Sequence, residues 1–164
     1  MNDRSDFSHC DTGIEKEKCA VCDNARTNNK AATVFIVQLQ NDHDAIRREA
    51  ELLQRATKQP KAESKSKLLR HCERLEELFT NHYLKEEHVL FPLLSKYLDS
   101  STSNAVGHEH KEISKLLREV TRQISRNEKN SVPRLNQLLL THFSKEENVL
   151  FWYLSLQHSD LKRT

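Results

Sequence analysis

The chain is poor in the residues that break regular structure. Its 164 residues include only 2 glycines and 3 prolines, too few for a collagen-like, linker-like or turn-rich all-β protein. An excess of one charge is also lacking, because 26 basic and 24 acidic residues leave a formal net charge of +2. Nucleic-acid binding therefore has no electrostatic footprint in the sequence. No apolar run approaches the ~18 residues of a membrane-spanning helix, which argues against a membrane protein.

The N-terminal residues differ in composition from the rest of the chain. Segment 1–22 is polar and lacks the apolar core of a signal peptide, which predicts a cytoplasmic location. Residues 1–30 show no sustained periodicity, so we expect them to form a poorly structured extension. They contain Cys10, Cys19 and Cys22. The single C-x-x-C pair leaves three interpretations open: a zinc site, a redox or iron-transfer role, and a disordered tail.

From residue 31 onward, the chain shows the apolar periodicity of amphipathic helices. Four segments have seams of residues spaced three and four apart. The breaks between them, at 59–61, 99–104 and 127–133, are short and therefore favour antiparallel neighbours. The sequence predicts an all-α, up-down four-helix bundle over residues 31–164. The four seams are Ile36, Leu39, His43, Ile46, Ala50 and Leu53; Leu68, Cys72, Leu75, Leu78 or Phe79, His82, Glu86, Val89 and Leu93; Val106, His110, Ile113, Leu117, Val120 and Ile124; and Leu135, Leu138 or Leu139, His142, Glu146, Val149 and Tyr153.

Individual positions carry further expectations about these helices. Pro133 is predicted in the first turn of the fourth helix, with Ser131 near it as a capping residue. Pro92 lies inside the second segment and is expected to kink it. Cys72 belongs to the second seam and is expected to pack as a small apolar side chain.

One sequence motif occurs twice. The stretch Leu78–Phe91 reappears sixty residues later as Leu138–Phe151, and both share His, aromatic, any, Lys, Glu, Glu, any, Val, Leu, Phe. Chance agreement of this density is improbable. A bundle of two similar helix pairs has a pseudo-twofold axis, and such an axis suits a centre with two metals.

Six polar residues interrupt the apolar seams. A buried carboxylate without a partner is costly, so these positions require an explanation other than packing. Two of the histidines precede a glutamate by four residues, a spacing that places both side chains on one helix face. Four imidazoles and two carboxylates converging in a bundle core are expected to bind two iron or manganese ions, with the carboxylates spanning both. The predicted ligands are His43, His82, Glu86, His110, His142 and Glu146.

Each of these residues has a more ordinary interpretation when taken singly. A lone histidine on an apolar face is usually a hydrogen-bonded core residue, and a single His-x-x-x-Glu pair is often a solvated face. The complete set, with one histidine per helix and two repeated pairs, favours metal binding instead. Other polar residues lack this support and are expected at the surface or around the ligands: His71, Glu87, His88, His108, Glu147 and His158.

Taken together, these motifs resemble the hemerythrin-like (HHE cation-binding) family over residues from about 34 to 156. The resemblance implies a non-haem di-iron centre inside a four-helix bundle. It implies that His43 and His82 serve one iron, that His110 and His142 serve the other, and that both glutamates bridge. The segments that carry it are Asp42–Arg47, His82–Pro92, Glu109–His110 and His142–Phe151.

One position departs from the oxygen-carrying members of that family. They have a second histidine on the third helix, one turn after the first, where this chain has Ser114. The five-histidine set is thereby reduced to four, which disfavours reversible oxygen carriage. In this respect the chain is similar to the branch that contains the repair-of-iron-centres proteins. Fewer protein ligands leave coordination positions open to dioxygen, peroxide or nitric oxide.

The predicted function is iron handling or a response to oxidative or nitrosative stress. Dioxygen, nitric oxide or peroxide are the expected small ligands, and an iron-recipient protein is the expected partner. Manganese and zinc stay open as alternative metals, and turnover stays open as well. The alternative function is an oxygen or redox sensor, or an oxygen-binding protein. Bulk metal storage is disfavoured, because two metals per 19.2 kDa is a poor capacity.

Overall fold

The described part of the chain is helical. The structure is a computed structural model that describes residues 20–58, 65–94 and 100–151, with side chains described over 34–58, 65–92 and 100–148. The α-helices are α1 (Ala20–Lys58), α2 (Lys65–Lys85), α3 (Phe91–Leu94), α4 (Ser100–Ser125) and α5 (Val132–Lys145). Two π-helical segments follow α2 and α5 directly: π1 (Glu86–Leu90) and π2 (Glu146–Phe151).

The long helices pack as a bundle around one main apolar core. α1 contacts α2 and α5, and α4 contacts the same two helices, so α1 and α4 lie on opposite corners. The predicted all-α four-helix bundle is confirmed. Most seam residues are buried in it, including Leu53, Leu75, Leu117 and Leu135. Within the described residues, no helix is long and apolar enough to cross a membrane.

Two helices begin before the first residue of their apolar seams. α1 begins at Ala20, so residues 20–30 of the expected unstructured extension are helical. No glycine or proline lies between Ala20 and Lys58, and apolar periodicity reports only where a helix packs, not where it begins. α4 likewise begins at Ser100, inside the predicted break 99–104. The boundary between extension and bundle at residue 31 stays a prediction; Cys10 and Cys19 lie outside the described residues.

The turn between α4 and α5 follows the predicted chemistry in part. Pro133 lies in the first turn of α5, as predicted. Ser131 occupies the N-cap position, but its side chain makes no capping hydrogen bond. Its hydroxyl instead accepts a hydrogen bond from Gln123 Nε2 at 2.8 Å. Asn127 supplies the left-handed residue of the turn, with φ of 62°.

The π1 segment changes which residues enter the core. The Phe91 N–H donates to the Glu86 carbonyl, five residues back, so the helix gains one residue in this turn. The predicted seam residue Val89 is consequently 40% exposed, and Leu90 is fully buried in its place. The expectation for Val89 was therefore wrong. Proline is not required for the π turn, because π2 has the same motif and no proline.

Alanine substitutions at these two neighbours are expected to test the register shift. Leu90→Ala should destabilise the protein by about 2–5 kcal/mol, because it removes a fully buried leucine. Val89→Ala should change the stability by less than about 0.5 kcal/mol, as surface substitutions do. Urea unfolding followed by circular dichroism measures both values. The reverse order would show that the helix continues as an ordinary α-helix.

Candidate metal centre

All six predicted ligands meet in the middle of the bundle. The four histidines come from α1, α2, α4 and α5, and the two glutamates are the first residues of π1 and π2. None of the six is more than 2% exposed. The rings form two pairs, His43 with His82 at a centroid distance of 4.6 Å and His110 with His142 at 4.9 Å.

The ligand atoms form two overlapping groups. His43 and His82 form one group with the two glutamates, and His110 and His142 form the other with the same glutamates. Within each group, one nitrogen or carboxylate oxygen per residue lies within 4.8 Å of every other. Because Glu86 and Glu146 belong to both groups, the geometry accommodates two cations with two shared carboxylates.

The outer nitrogen of each histidine faces a carboxylate. The Nδ1–Oε distances are 2.7 Å for His43 to Glu147 and 3.0 Å for His110 to Glu87. The His142 Nδ1 also lies 3.0 Å from a carboxylate oxygen, that of Glu109, while His82 is 3.8 Å from Asp42. An Nδ1–H that donates outward leaves Nε2 as a lone pair that points inward.

With the protons on the outer nitrogens, the inner surface of the site consists of acceptors. His43 Nε2 lies 3.2 Å from His82 Nε2, and His110 Nε2 lies 3.1 Å from Glu86 Oε2. Two lone pairs cannot satisfy each other. Among the described residues, five buried side-chain atoms have no hydrogen-bond partner: the outer nitrogen His82 Nδ1, and four inner atoms, namely one oxygen of Glu86, both oxygens of Glu146 and His142 Nε2. The four inner atoms fit cations, which would satisfy all four at once.

Without a cation, protons take its place. Burial disfavours a charged His82, but the carboxylates of Asp42, Glu146 and Glu86 outweigh this effect and raise its pKa to about 9. Burial also disfavours a charged His110, but its contacts with Glu146, Glu86 and Glu87 outweigh burial and raise its pKa to about 10. Both shifts have the same cause, the negative charge of the buried carboxylates, and this charge also favours a bound cation.

The two buried carboxylates respond differently to this environment. Burial and the charge of Glu146 both raise the pKa of Glu86. Burial acts in the same direction on Glu146, but the imidazoles of His110, His43 and His82 beside it lower its pKa well below the usual range. Glu86 is therefore the carboxylate that gains most from a positive ion beside it.

Comparison with known families gives an independent assignment. The family model "Hemerythrin HHE cation binding domain" matches residues 34–154, which is well over half of the chain. The chain belongs to this family. The HHE domain is a cation-binding domain, and all six predicted ligands lie within the matched residues. No curated protein and no solved structure gives a significant match to the chain.

The HHE domain of this chain is nearly symmetric about its centre. The dipeptide Asp42-His43 on α1 corresponds to Glu109-His110 on α4. In one half, Lys85 Nζ donates to Asp42 at 2.6 Å; in the other, Lys145 pairs with Glu109. The internal repeat therefore predicts the pseudo-twofold symmetry of the site as well as the ligands.

Aromatic rings surround the imidazoles. Phe79 is fully buried and lies 6.0–6.5 Å from the rings of His82, His110 and His142. Phe143 stacks on His43 at 4.2 Å, and Tyr83 stacks on His110 at 5.4 Å. Such walls hold the imidazole planes and keep bulk water from the carboxylates.

The structure also shows where the polar residues that are not predicted ligands lie. Glu87 and Glu147 contact ligand histidines, in agreement with one of their two expected locations. His71 is half-buried and contacts Glu49 at 2.6 Å, whereas His88 and His108 are exposed. His158 lies outside the described residues. The roles of Asp42 and Glu109 were missed, although each directly precedes a ligand histidine in the sequence.

Removing an outer carboxylate is expected to weaken metal binding without removing a ligand. Glu147→Gln should lower the affinity for metal about 10–100-fold, the usual effect of losing such a partner. Glu112→Gln, an exposed glutamate on α4, is the matched control and should leave the affinity unchanged. Competition with a chromophoric chelator measures both affinities. Equal affinities would show that the Glu147 contact with His43 does not support the centre.

Proposed function

We propose that this HHE domain holds a non-haem di-iron centre. His43 and His82 bind one iron, His110 and His142 bind the other, and Glu86 and Glu146 bridge the two. The single observation that carries this proposal is that two four-residue groups of buried donors share the same two carboxylates. A site for one metal would not require two glutamates common to two separate histidine pairs.

The chemistry of the donors favours iron among the metals considered. Each position offers two imidazoles and two carboxylate oxygens, and histidine with carboxylate is the donor set of reactive non-haem iron. Thiolates, which favour structural zinc, do not take part among the described residues, because the buried Cys72 lies on α2 outside both groups. Manganese and zinc are the alternatives that metal analysis has to distinguish.

We further propose a role in iron handling or in the response to oxidative or nitrosative stress. When bound, the two irons supply redox equivalents and open coordination positions for dioxygen, nitric oxide or peroxide. The protein contributes fixed imidazoles, shared carboxylates and an aromatic enclosure that excludes water. Two ions per chain are too few for storage, so iron that leaves the centre would pass to a recipient protein.

Anaerobic reconstitution with ferrous iron is the direct test of the centre. We expect about two irons per chain, from the two donor groups. His110→Ala should lower this number, whereas His108→Ala, an exposed residue two positions earlier on the same helix, should not. One tetrahedral zinc per chain without iron uptake would contradict the proposal.

Separate additions of dioxygen, nitric oxide and peroxide then test the role. Fast, irreversible oxidation of the iron by dioxygen or peroxide, or a stable complex with nitric oxide, would support the stress-response function. Transfer of iron from this protein to an apo-protein would support iron handling if it is faster than transfer of the same iron from a chelator. Reversible dioxygen binding over many cycles would instead support the alternative, an oxygen sensor or oxygen-binding protein.

A further inference from the structure

The two halves of the centre differ in how basic side chains contact their outer carboxylates. Each half has two histidines, and the outer nitrogen of each histidine faces one carboxylate oxygen. We call the half that contains His43 and His82 the α1–α2 half, and the half that contains His110 and His142 the α4–α5 half. The same six ligands would make the two halves alike, so any difference between them comes from the residues around the ligands.

Arg47 shares one oxygen of Glu147 with His43. This oxygen, Oε1, lies 2.7 Å from His43 Nδ1, and it also accepts a hydrogen bond from Arg47 Nη2 at 2.8 Å. The side chain of Arg47 is only 26% exposed, so salt screens this contact less than it screens a pair at the surface. The guanidinium therefore neutralises part of the negative charge that faces His43.

Lys85 acts in the same way on Asp42. Its Nζ donates to Oδ2 of Asp42 at 2.6 Å, whereas His82 Nδ1 lies 3.8 Å from that same oxygen. This separation is too long for a hydrogen bond, and His82 Nδ1 is buried without a hydrogen-bond partner. The carboxylate thus contacts the lysine more closely than it contacts the histidine. Both outer carboxylates of the α1–α2 half are weakened as partners of their histidines.

In the α4–α5 half, each histidine has a carboxylate oxygen that no basic side chain shares. Glu109 presents Oε2 to His142 Nδ1 at 3.0 Å and its other oxygen, Oε1, to Lys145. Glu87 Oε1 lies 3.0 Å from His110 Nδ1. Among the described residues, Glu87 has no lysine or arginine partner. The outer carboxylates of this half therefore act on their histidines at full strength.

This difference affects the inner nitrogens, which are the predicted metal ligands. A carboxylate that accepts a hydrogen bond from the outer nitrogen makes the inner nitrogen a stronger electron donor to a metal. A basic side chain at that carboxylate weakens the effect and also repels a metal ion directly. Two carboxylates with two basic partners are neutral, whereas two with one basic partner keep one negative charge. The α4–α5 half is therefore the better environment for a metal ion of higher charge.

We propose that Arg47 and Lys85 make the two metal positions unequal, so that iron in the α4–α5 half is more stable as the ferric ion and is oxidised first. The inference rests on the proposed di-iron centre and extends it. Arg47 and Lys85 are positioning residues, because they act through the carboxylates of Glu147 and Asp42. A centre of this kind exchanges electrons one at a time, through a state in which only one iron is ferric.

Potentiometry of the iron-loaded protein tests this inference. Each of the two couples transfers one electron between an iron, as Fe²⁺ or Fe³⁺, and a mediated electrode. Lys85 and Lys145 occupy equivalent positions in the two copies of the repeated motif, so they provide a matched pair of substitutions. Lys85→Gln should lower the higher potential, that of the α1–α2 half, and bring the two potentials closer together. Lys145→Gln should lower the other potential and move the two apart.

The expected size of each change is about 59 mV, which is a tenfold change in the equilibrium constant of a one-electron couple. Tenfold is the lower end of the effect that partners of metal ligands have on metal affinity. Arg47→Gln should bring the potentials together as Lys85→Gln does, and Lys85→Arg should leave them unchanged because it keeps the charge. Arg74→Gln is the control on α2, since Arg74 pairs with Glu77 at the surface, and it should move neither potential.

Iron content and circular dichroism of every variant are measured first. Both lysines are partly exposed, Lys85 by 41% and Lys145 by 57%, so these variants should fold. Opposite changes in the separation of the potentials support the inference. Changes in the same direction, no change, or coincident potentials in the wild type overturn it and leave the metal centre intact. Loss of iron from either glutamine variant also overturns it, because removing a nearby cation should not weaken metal binding. A wild-type protein that takes up no iron overturns the proposed function and this inference together.

Discussion

Glu86→Gln is expected to remove metal from both positions, and Glu146→Gln should do the same. Each glutamate belongs to both donor groups, so a single change affects two ions. Loss of an outer partner costs about 10–100-fold in metal affinity, and loss of a shared ligand should exceed that range. Iron counting after gel filtration and chelator competition measure the loss.

The stability of the metal-free protein should not fall with these substitutions as the metal content does. Burial and repulsion from Glu146 raise the pKa of Glu86, so its charged form costs stability in the metal-free protein and a neutral amide relieves that cost. Metal-free Glu86→Gln should therefore be at least as stable as the metal-free wild type while binding metal more weakly. Glu112→Gln, exposed on α4, should alter neither property. A Glu86 variant that keeps two irons would show that this carboxylate is not a ligand.

The bundle could be predicted from the sequence because its seams carry strong signals. Leu39, Ile46, Leu75 and Leu117 lie at seam spacing and are all buried. The start of α1 could not be predicted in this way, because the first turns of a helix need no apolar face. Helix starts depend on local propensity and on the absence of glycine and proline, which give weaker signals than burial.

The π segments could not be predicted from apolar spacing either. A π turn changes the period locally, and the valine–leucine pair after Glu86 satisfies both registers. Only packing against Leu39 distinguishes buried Leu90 from exposed Val89. The repeated motif was the available signal, because both copies enter the π conformation at the same glutamate.

The convergence of the six side chains could be predicted because buried charge demands a partner. A histidine or glutamate in a Leu-rich seam conflicts with its neighbours, and six such conflicts at one level of a bundle indicate a common cause. The outer carboxylates are partly exposed and create no such conflict. Asp42 and Glu109 were therefore indistinguishable from solvated acidic residues until the fold placed them beside His82 and His142.

Metal-free protein is expected to lose stability as the pH rises, whereas the stabilisation by metal should grow. The pKa values of His82 and His110 are raised from 6.5 to about 9 and about 10. Their contribution to stability is complete below about pH 6.5 and is lost as the pH rises through these values. Metal requires neutral imidazoles, so protons compete with it over the same range.

Both pH dependences, that of the stability of the metal-free protein and that of the stabilisation by metal, can be measured on the wild-type protein. Metal at a hundred times its dissociation constant stabilises by about 2.7 kcal/mol, which for a chain of this size raises Tm by roughly 5–10 °C. Unfolding of metal-free and metal-loaded protein at about pH 6.5 and pH 9 gives both slopes, below the pKa of about 11 to which burial raises the Cys72 thiol. Titration with metal in weak buffer near pH 7 should release about two protons per chain, one each from His82 and His110. If the stabilisation by metal is independent of pH and no protons are released, the cation does not displace protons from these imidazoles. The bound metal would then lie elsewhere in the chain.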